Sequence, residues 1–148
     1  MSKSLEQTEA IAAAGATAPR VSLADIKAAV SHVFFFTAAE AIEKLGLSGP
    51  KPAPAGTSLM TICVMQLSNG FIVLGKSAPA SPENFDPEKG KTFSYDDCIH
   101  QLWPLMGFAL REKLYMREQF GHSVVAGGMP SAGGSEIGGL AGLGSTGN

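Results

Sequence analysis

Apolar positions between residues 21 and 122 change period twice, and each change marks a change of element. Leu23, Ile26, Val30, Val33 and Phe34 recur at three- and four-residue spacing behind Ser22, with Asp25 three residues after it. This is close to a capping box and predicts a first helix. Thr37-Ala38-Ala39-Glu40 repeats the signal directly after three phenylalanines. A second helix is expected there, with Ala41, Ile42 and Leu45 as its apolar stripe and Gly46-Leu47 as its stop. The two together predict a bent helical pair.

Residues 48–56, SGPKPAPAG, place prolines at alternate positions and predict a stiff, extended connector. The period then shortens. Residues 59–67 are almost wholly apolar, Asn69-Gly70 is a strong two-residue turn signal, and residues 71–74 are apolar again. A central antiparallel β-hairpin is expected. With Asn69 and Gly70 as the whole turn, Gln66 would face Val73 and Cys63 would face Lys76. Both hairpin faces are then largely apolar, whereas a sheet open to water on one side alternates apolar with polar residues. Helices can cover one face, and the other implies a second copy of the chain, so a homo-oligomer is expected.

Ser81-Pro82-Glu83 and Asp86-Pro87-Glu88 each combine a cap, a proline at the first helical position and an acid in the first turn. They predict two short helical turns pinned by Phe85, the second closed by Gly90. Ser94 is expected to open the longest helix, with Ile99, Leu102, Trp103, Met106, Leu110 and Leu114 on one stripe. Pro104 lies within that stripe, should kink or break the helix, and turns Trp103 into the fold. The class is α+β.

The ends carry a different composition. Residues 1–20 lack a run of large apolar side chains and residues 123–148 are mostly Gly, Ser and Ala. Both are expected to be flexible tails around one domain at 21–122. The 148-residue chain has a formal charge of -2, which disfavours nucleic acid as a partner. No stretch approaches the ~18 apolar residues of a membrane span, and the N-terminus is too alanine-rich and acidic for a secretory leader. A cytoplasmic location follows. Cys63 and Cys98 stand in apolar surroundings without a C-x-x-C partner and read as buried free thiols.

GFIVLGKS at residues 70–77 fits the phosphate-loop pattern G-x-x-x-x-G-K-[ST] letter for letter. That loop needs a flexible turn between its glycines and a helix starting at Lys-Ser. Here the four intervening residues, Phe71, Ile72, Val73 and Leu74, are strand formers, and Pro79 and Pro82 follow. The match belongs to a hairpin. Cys98, His100 and the adjacent Asp96 and Asp97 could be drawn as a nucleophile and base, but residues two apart on a helix do not share a face. No two histidines have metal spacing. Neither a catalytic set nor a metal or cofactor is expected, and Lys76, the one charge in an apolar strand, is the candidate contact for a small anionic ligand, with Arg111 as a second cation.

Thr61-Ile62-Cys63, Asn69-Gly70-Phe71, Gly75-x-Ser77-Ala78, Asn84-Phe85-Asp86, Gly90 and Ile99-x-x-x-Trp103-Pro104-Leu105 with Gly107 together resemble a family of small phage and prophage proteins. That family is named after gene product forty-nine of phage N4 and gene sixty-six of phage Sf6. The resemblance implies an accessory protein made in a bacterial cell and brings no catalytic residues with it. The leading expectation is a non-enzymatic, oligomeric binding protein that engages a host protein or small molecule, with counter-defence as one form. Two rivals stand beside it: a protein that sequesters an anionic nucleotide signal on Lys76 and Arg111, and an enzyme working through Cys98 and His100.

Overall fold

Ser22 and Asp25 form a full capping box, and the helix they start is short. The computed structural model, which describes residues 3–121, ends this helix at Ala29. In chain order the elements are α1 (Lys3–Ala13), α2 (Leu23–Ala29), β1 (Val30–Thr37), α3 (Ala38–Lys44), β2 (Thr61–Leu67), β3 (Ile72–Ser77) and α4 (Pro87–Phe120), with 3-10 turns at Ala55–Leu59 and Pro82–Asn84. The three strands form one antiparallel sheet in the order β1-β2-β3. The architecture is α+β.

The expected bent helical pair is therefore a helix, a strand and a helix. VSHVFFF is rich in β-branched and aromatic residues, which favour a pleated strand. Its helix-like spacing has a specific cause. Val30 pairs with Leu67 and His32 with Gln66, so Ser31 is an extra residue, a β-bulge. The bulge stretches the core-facing spacing of Val30 and Val33 from two to three, and Ser31 donates its hydroxyl to the Gln66 carbonyl at 2.9 Å.

The hairpin register also differs from the two-residue expectation by one position. Gln66 pairs with Ile72, Met65 with Val73 and Cys63 with Gly75. Ser68, Asn69 and Gly70 make a three-residue loop: the Gly70 amide donates to the Leu67 carbonyl at 2.9 Å and Gly70 takes a φ of 86°. This is a tight turn followed by a left-handed glycine bulge. The slip matters because a one-residue shift exchanges the faces of β3 relative to β2.

Cys63, Met65 and Leu67 of β2 and Val73 of β3 turn to one face, where Leu23 and Ile26 of α2, Cys98, Ile99 and Leu102 of α4 and Leu5 of α1 complete the core. Helix α4 crosses β3 at Gly75. A Cβ there would collide with the Ser94 carbonyl oxygen and lie 2.7 Å from Cys98 Sγ and 2.9 Å from Cys98 N. Only a glycine admits this approach.

Asp86 and Pro87, expected to start a short turn closed by Gly90, start α4 itself. Asp86 Oδ1 accepts from the amides of Glu88 and Lys89 at 2.9 and 3.3 Å. Gly90 does not stop the helix, because its missing Cβ serves contact with the Thr61 side chain. The chain stays helical through Pro104. Trp103 packs against the core and its indole N–H donates to the Val21 carbonyl at 3.3 Å. The predicted stripe holds, with Ile99 and Leu102 buried and Trp103, Met106, Leu110 and Leu114 half-buried. The described residues up to Lys113 form one compact unit, and the end of α4 from Leu114 onward is set off from it. The Gly-rich segment at 123–148 lies outside the described residues.

Residues 1–20, expected to stay out of the fold, contribute α1. Leu5 is fully buried, and Glu9 is the tie: its Oε1 lies 2.6 Å from Arg20 Nη2, and its Oε2 accepts from the Leu23 amide at 3.0 Å. An alanine-rich helix with one buried leucine shows little apolar pattern, which is why the sequence conceals it. The Arg20 guanidinium holds the Glu9 carboxyl below its usual range, helped by the Leu23 amide. A depressed folded-state pKa contributes stability above the unfolded value of about 4.3, and that contribution is lost as pH falls through the folded value. Hydrogen exchange should therefore show α1 amides losing protection below about pH 4, and Glu9→Gln should produce the same loss at neutral pH. Equal α1 protection in wild type and variant would remove Glu9 from this role.

Candidate functional site

Pleating sends alternate residues of each strand away from the helices. His32, Phe34 and Phe36 of β1 stand across from Gln66, Val64 and Ile62 of β2, and these from Ile72, Leu74 and Lys76 of β3. This outer face is apolar at its centre and open: Phe34 is 57% exposed, Ile72 57% and Leu74 59%. The His32 and Phe34 rings stack, with centroids 6.3 Å apart. At the Phe36 end the face continues into a groove of about 390 Å³ between β1 and α3, lined by Phe36, Ala41 and Leu45 with Glu40 and Lys44. The chain follows the Thr37–Glu40 capping box into α3 and leaves it at Gly46, φ 65°, with the Leu47 amide on the Ile42 carbonyl.

Two backbone groups on the β3 edge are already engaged. Asp97 Oδ2 accepts from the Lys76 amide at 2.9 Å and Gln101 Nε2 donates to the Leu74 carbonyl at 2.8 Å. These residues sit one helical turn apart on α4 and occupy the edge groups that another strand would use. Sequence reasoning named Asp97 as a neighbour of Cys98 and placed the helix start at Ser94. The spacing of two polar residues beside the buried Cys98–Leu102 stripe was the available signal.

Lys76, expected opposite Cys63, pairs instead with Ile62 and lies exposed on the outer face of β3. Arg111 is fourteen residues beyond Asp97 on α4, about 21 Å along a helix axis. The fold of the chain does not join the two cations into a site. Asn69 and Gly70 form the hairpin loop, and Phe85 is half-buried before α4. GFIVLGKS is the second half of the hairpin and not a phosphate loop.

Cys98 and His100 point apart. Cys98 is fully buried, with Sγ 3.7 Å from the Cys63 carbonyl oxygen and 3.9 Å from that of Val73. His100 is exposed, its Nδ1 2.7 Å from the Asp96 carbonyl oxygen. Contact with the Cys63 thiol, together with burial, pushes the Cys98 thiol well above its ordinary pKa. Both cysteines are expected to react with a thiol reagent only as fast as the fold opens, with two thiols released at once in denaturant. Rapid native labelling of Cys98 would contradict this packing.

Among the described residues no group of His, Cys, Asp and Glu side chains is placed to hold a metal, and no helix is long and apolar enough to cross a membrane. The model of the Phage protein (N4 Gp49/phage Sf6 gene 66) family matches residues 21–114. The chain belongs to this phage protein family. The matched region runs from the approach to α2 through most of α4 and includes the whole sheet. Comparison with curated proteins and with solved structures finds no match.

Proposed function

We propose that this phage protein is a non-enzymatic binding protein that self-associates through the outer face of its sheet and engages a host protein or small molecule in the bacterial cytoplasm, with counter-defence among the roles this serves. The open apolar sheet face carries the reading. Ten hydrophobic side chains are buried among the described residues, against fifteen large ones left exposed. For a fold of this size that core is small, and a second copy adds to it.

A second copy is the occupant that fits best. The β3 edge is occupied by Asp97 and Gln101, so association by strand addition is disfavoured there. A face of Phe34, Val64 and Leu74 is self-complementary and can pack on itself across a two-fold axis, as stacked sheets do at about 10 Å. The buried, neutral Cys98 turned away from His100 supports the non-enzymatic half of the reading. Light scattering on the full chain at micromolar concentration is expected to give twice the chain mass or a higher multiple. A single-chain mass would overturn self-association.

A further inference from the structure

Apart from the sheet face, a half-open pocket of about 550 Å³ lies where the end of β1 and the start of β2 meet the first turn of α4. Small-molecule sites fall in the range of about 300–1,000 Å³. Its wall is aromatic, from Phe35 and Phe36 of β1 and Phe85 of the loop before α4. Two of its polar groups are already engaged. The Ser58 hydroxyl donates to the Ala55 carbonyl at 2.7 Å, and Glu40 Oε2 accepts from the Thr37 amide at 2.6 Å. Thr61 also lines the pocket and is only 4% exposed. It rests against Gly90, in space that a Cβ at that position would take.

The charges around the pocket argue against a phosphate as the principal group. Lys91 Nζ is paired with Glu88 at 2.9 Å, and Glu40 adds a second acid. The N-terminus of α4 is already capped by Asp86, and Pro87 has no N–H to offer. What remains is a set of phenyl rings and one nearly buried hydroxyl, which can donate or accept. We propose that this pocket binds a flat, uncharged aromatic heterocycle of nucleobase or nucleoside size, its ring on the Phe35, Phe36 and Phe85 side chains and one ring heteroatom on the Thr61 hydroxyl. The Thr61 hydroxyl can donate to or accept from such a heteroatom. Phenyl rings stack on any base. The pocket shares Phe36 with the outer face, whereas Lys76 stands two strands away from Phe36 and does not line the pocket.

Isothermal titration of the full chain with adenosine and with uridine tests it, with ribose and inorganic phosphate as controls. Saturable binding of at least one nucleoside is expected, and none of ribose or phosphate. Thr61→Val keeps the side-chain shape and should weaken nucleoside binding about fivefold or more, while Lys76→Ala should leave it unchanged. Phe85→Leu keeps an apolar side chain without a ring and should cost at least about fivefold, so the site can be judged even if Thr61→Val disturbs the contact with Gly90. No saturable nucleoside binding at millimolar concentration would overturn the proposal. So would binding that Thr61→Val and Phe85→Leu leave intact, or equal binding of phosphate.

Discussion

Gly75→Ala is expected to destabilise the fold by about 3 kcal/mol or more, at the upper end of overpacking costs. The added Cβ meets backbone, the Ser94 carbonyl oxygen and the Cys98 amide nitrogen, as well as Cys98 Sγ. Backbone in the middle of a helix cannot rotate away as a side chain can. Relief requires α4 to lift from β3, and lifting it opens the contacts of Cys98, Ile99 and Leu102 with the sheet and pulls Asp97 and Gln101 off the β3 edge. For a domain of this size a change of 3 kcal/mol corresponds to roughly 12–24 °C in Tm. Gly107→Ala is the matched control: it lies in the same helix with no atom within 4 Å of a Cβ built on it. It should stabilise by about 0.4–1 kcal/mol through helix propensity and a less free unfolded chain. Denaturant unfolding of both variants reads the difference directly. Equal, small effects would mean that α4 does not cross β3 at Gly75.

Leu74→Lys and Phe34→Lys are expected to dissociate the proposed oligomer without unfolding the single chain. Both side chains are more than half exposed on the outer face, so the isolated fold loses little. In an interface with two-fold symmetry each substitution counts twice. Removing about 1.5–3 kcal/mol of apolar burial per side chain amounts to about 3–6 kcal/mol per dimer, a rise in Kd of roughly 10²–10⁴-fold. The lysine's own desolvation adds to this. Light scattering over a concentration series, with circular dichroism on the same samples, separates the outcomes. A variant that keeps wild-type mass would place the interface elsewhere, and one that loses its secondary structure would mean the face is part of the chain's own packing.

The same two residues show how far local pattern reaches. Leu74 was legible as a strand residue of a doubly apolar hairpin, but its partner was not. Asn69-Gly70 signals a turn equally well as a two-residue loop or as the end of a three-residue loop with Ser68, and that one residue decides whether Leu74 faces Val64 or Met65. Phe34 was misplaced altogether, because a bulge at Ser31 gives strand residues a spacing that a helix also has. Lys76 stood out as the one charge among apolar neighbours, but the face it takes was decided by the register, which pairs it with Ile62 and not with the buried Cys63. The Thr61 pocket could not be found, since it depends on Gly90, Phe85, Phe35 and Phe36 meeting from separate segments.

What the sequence determined by itself was local chemistry: the capping boxes at Ser22 and Thr37, the glycine stop at Gly46, the Asn69-Gly70 turn, the Asp86-Pro87 helix start and the apolar stripe through Leu102. Each needs only residues within a few positions of one another, so each can be read along the chain. Tertiary structure decided the rest. It made β1 a strand by giving it β2 to pair with, drew α1 into the fold through Leu5 and Glu9, and turned Gly75 and Gly90 from apparent punctuation into points of close approach. Those outcomes depend on contacts between segments far apart in the chain, whose loop-closure cost and packing gain no local pattern records.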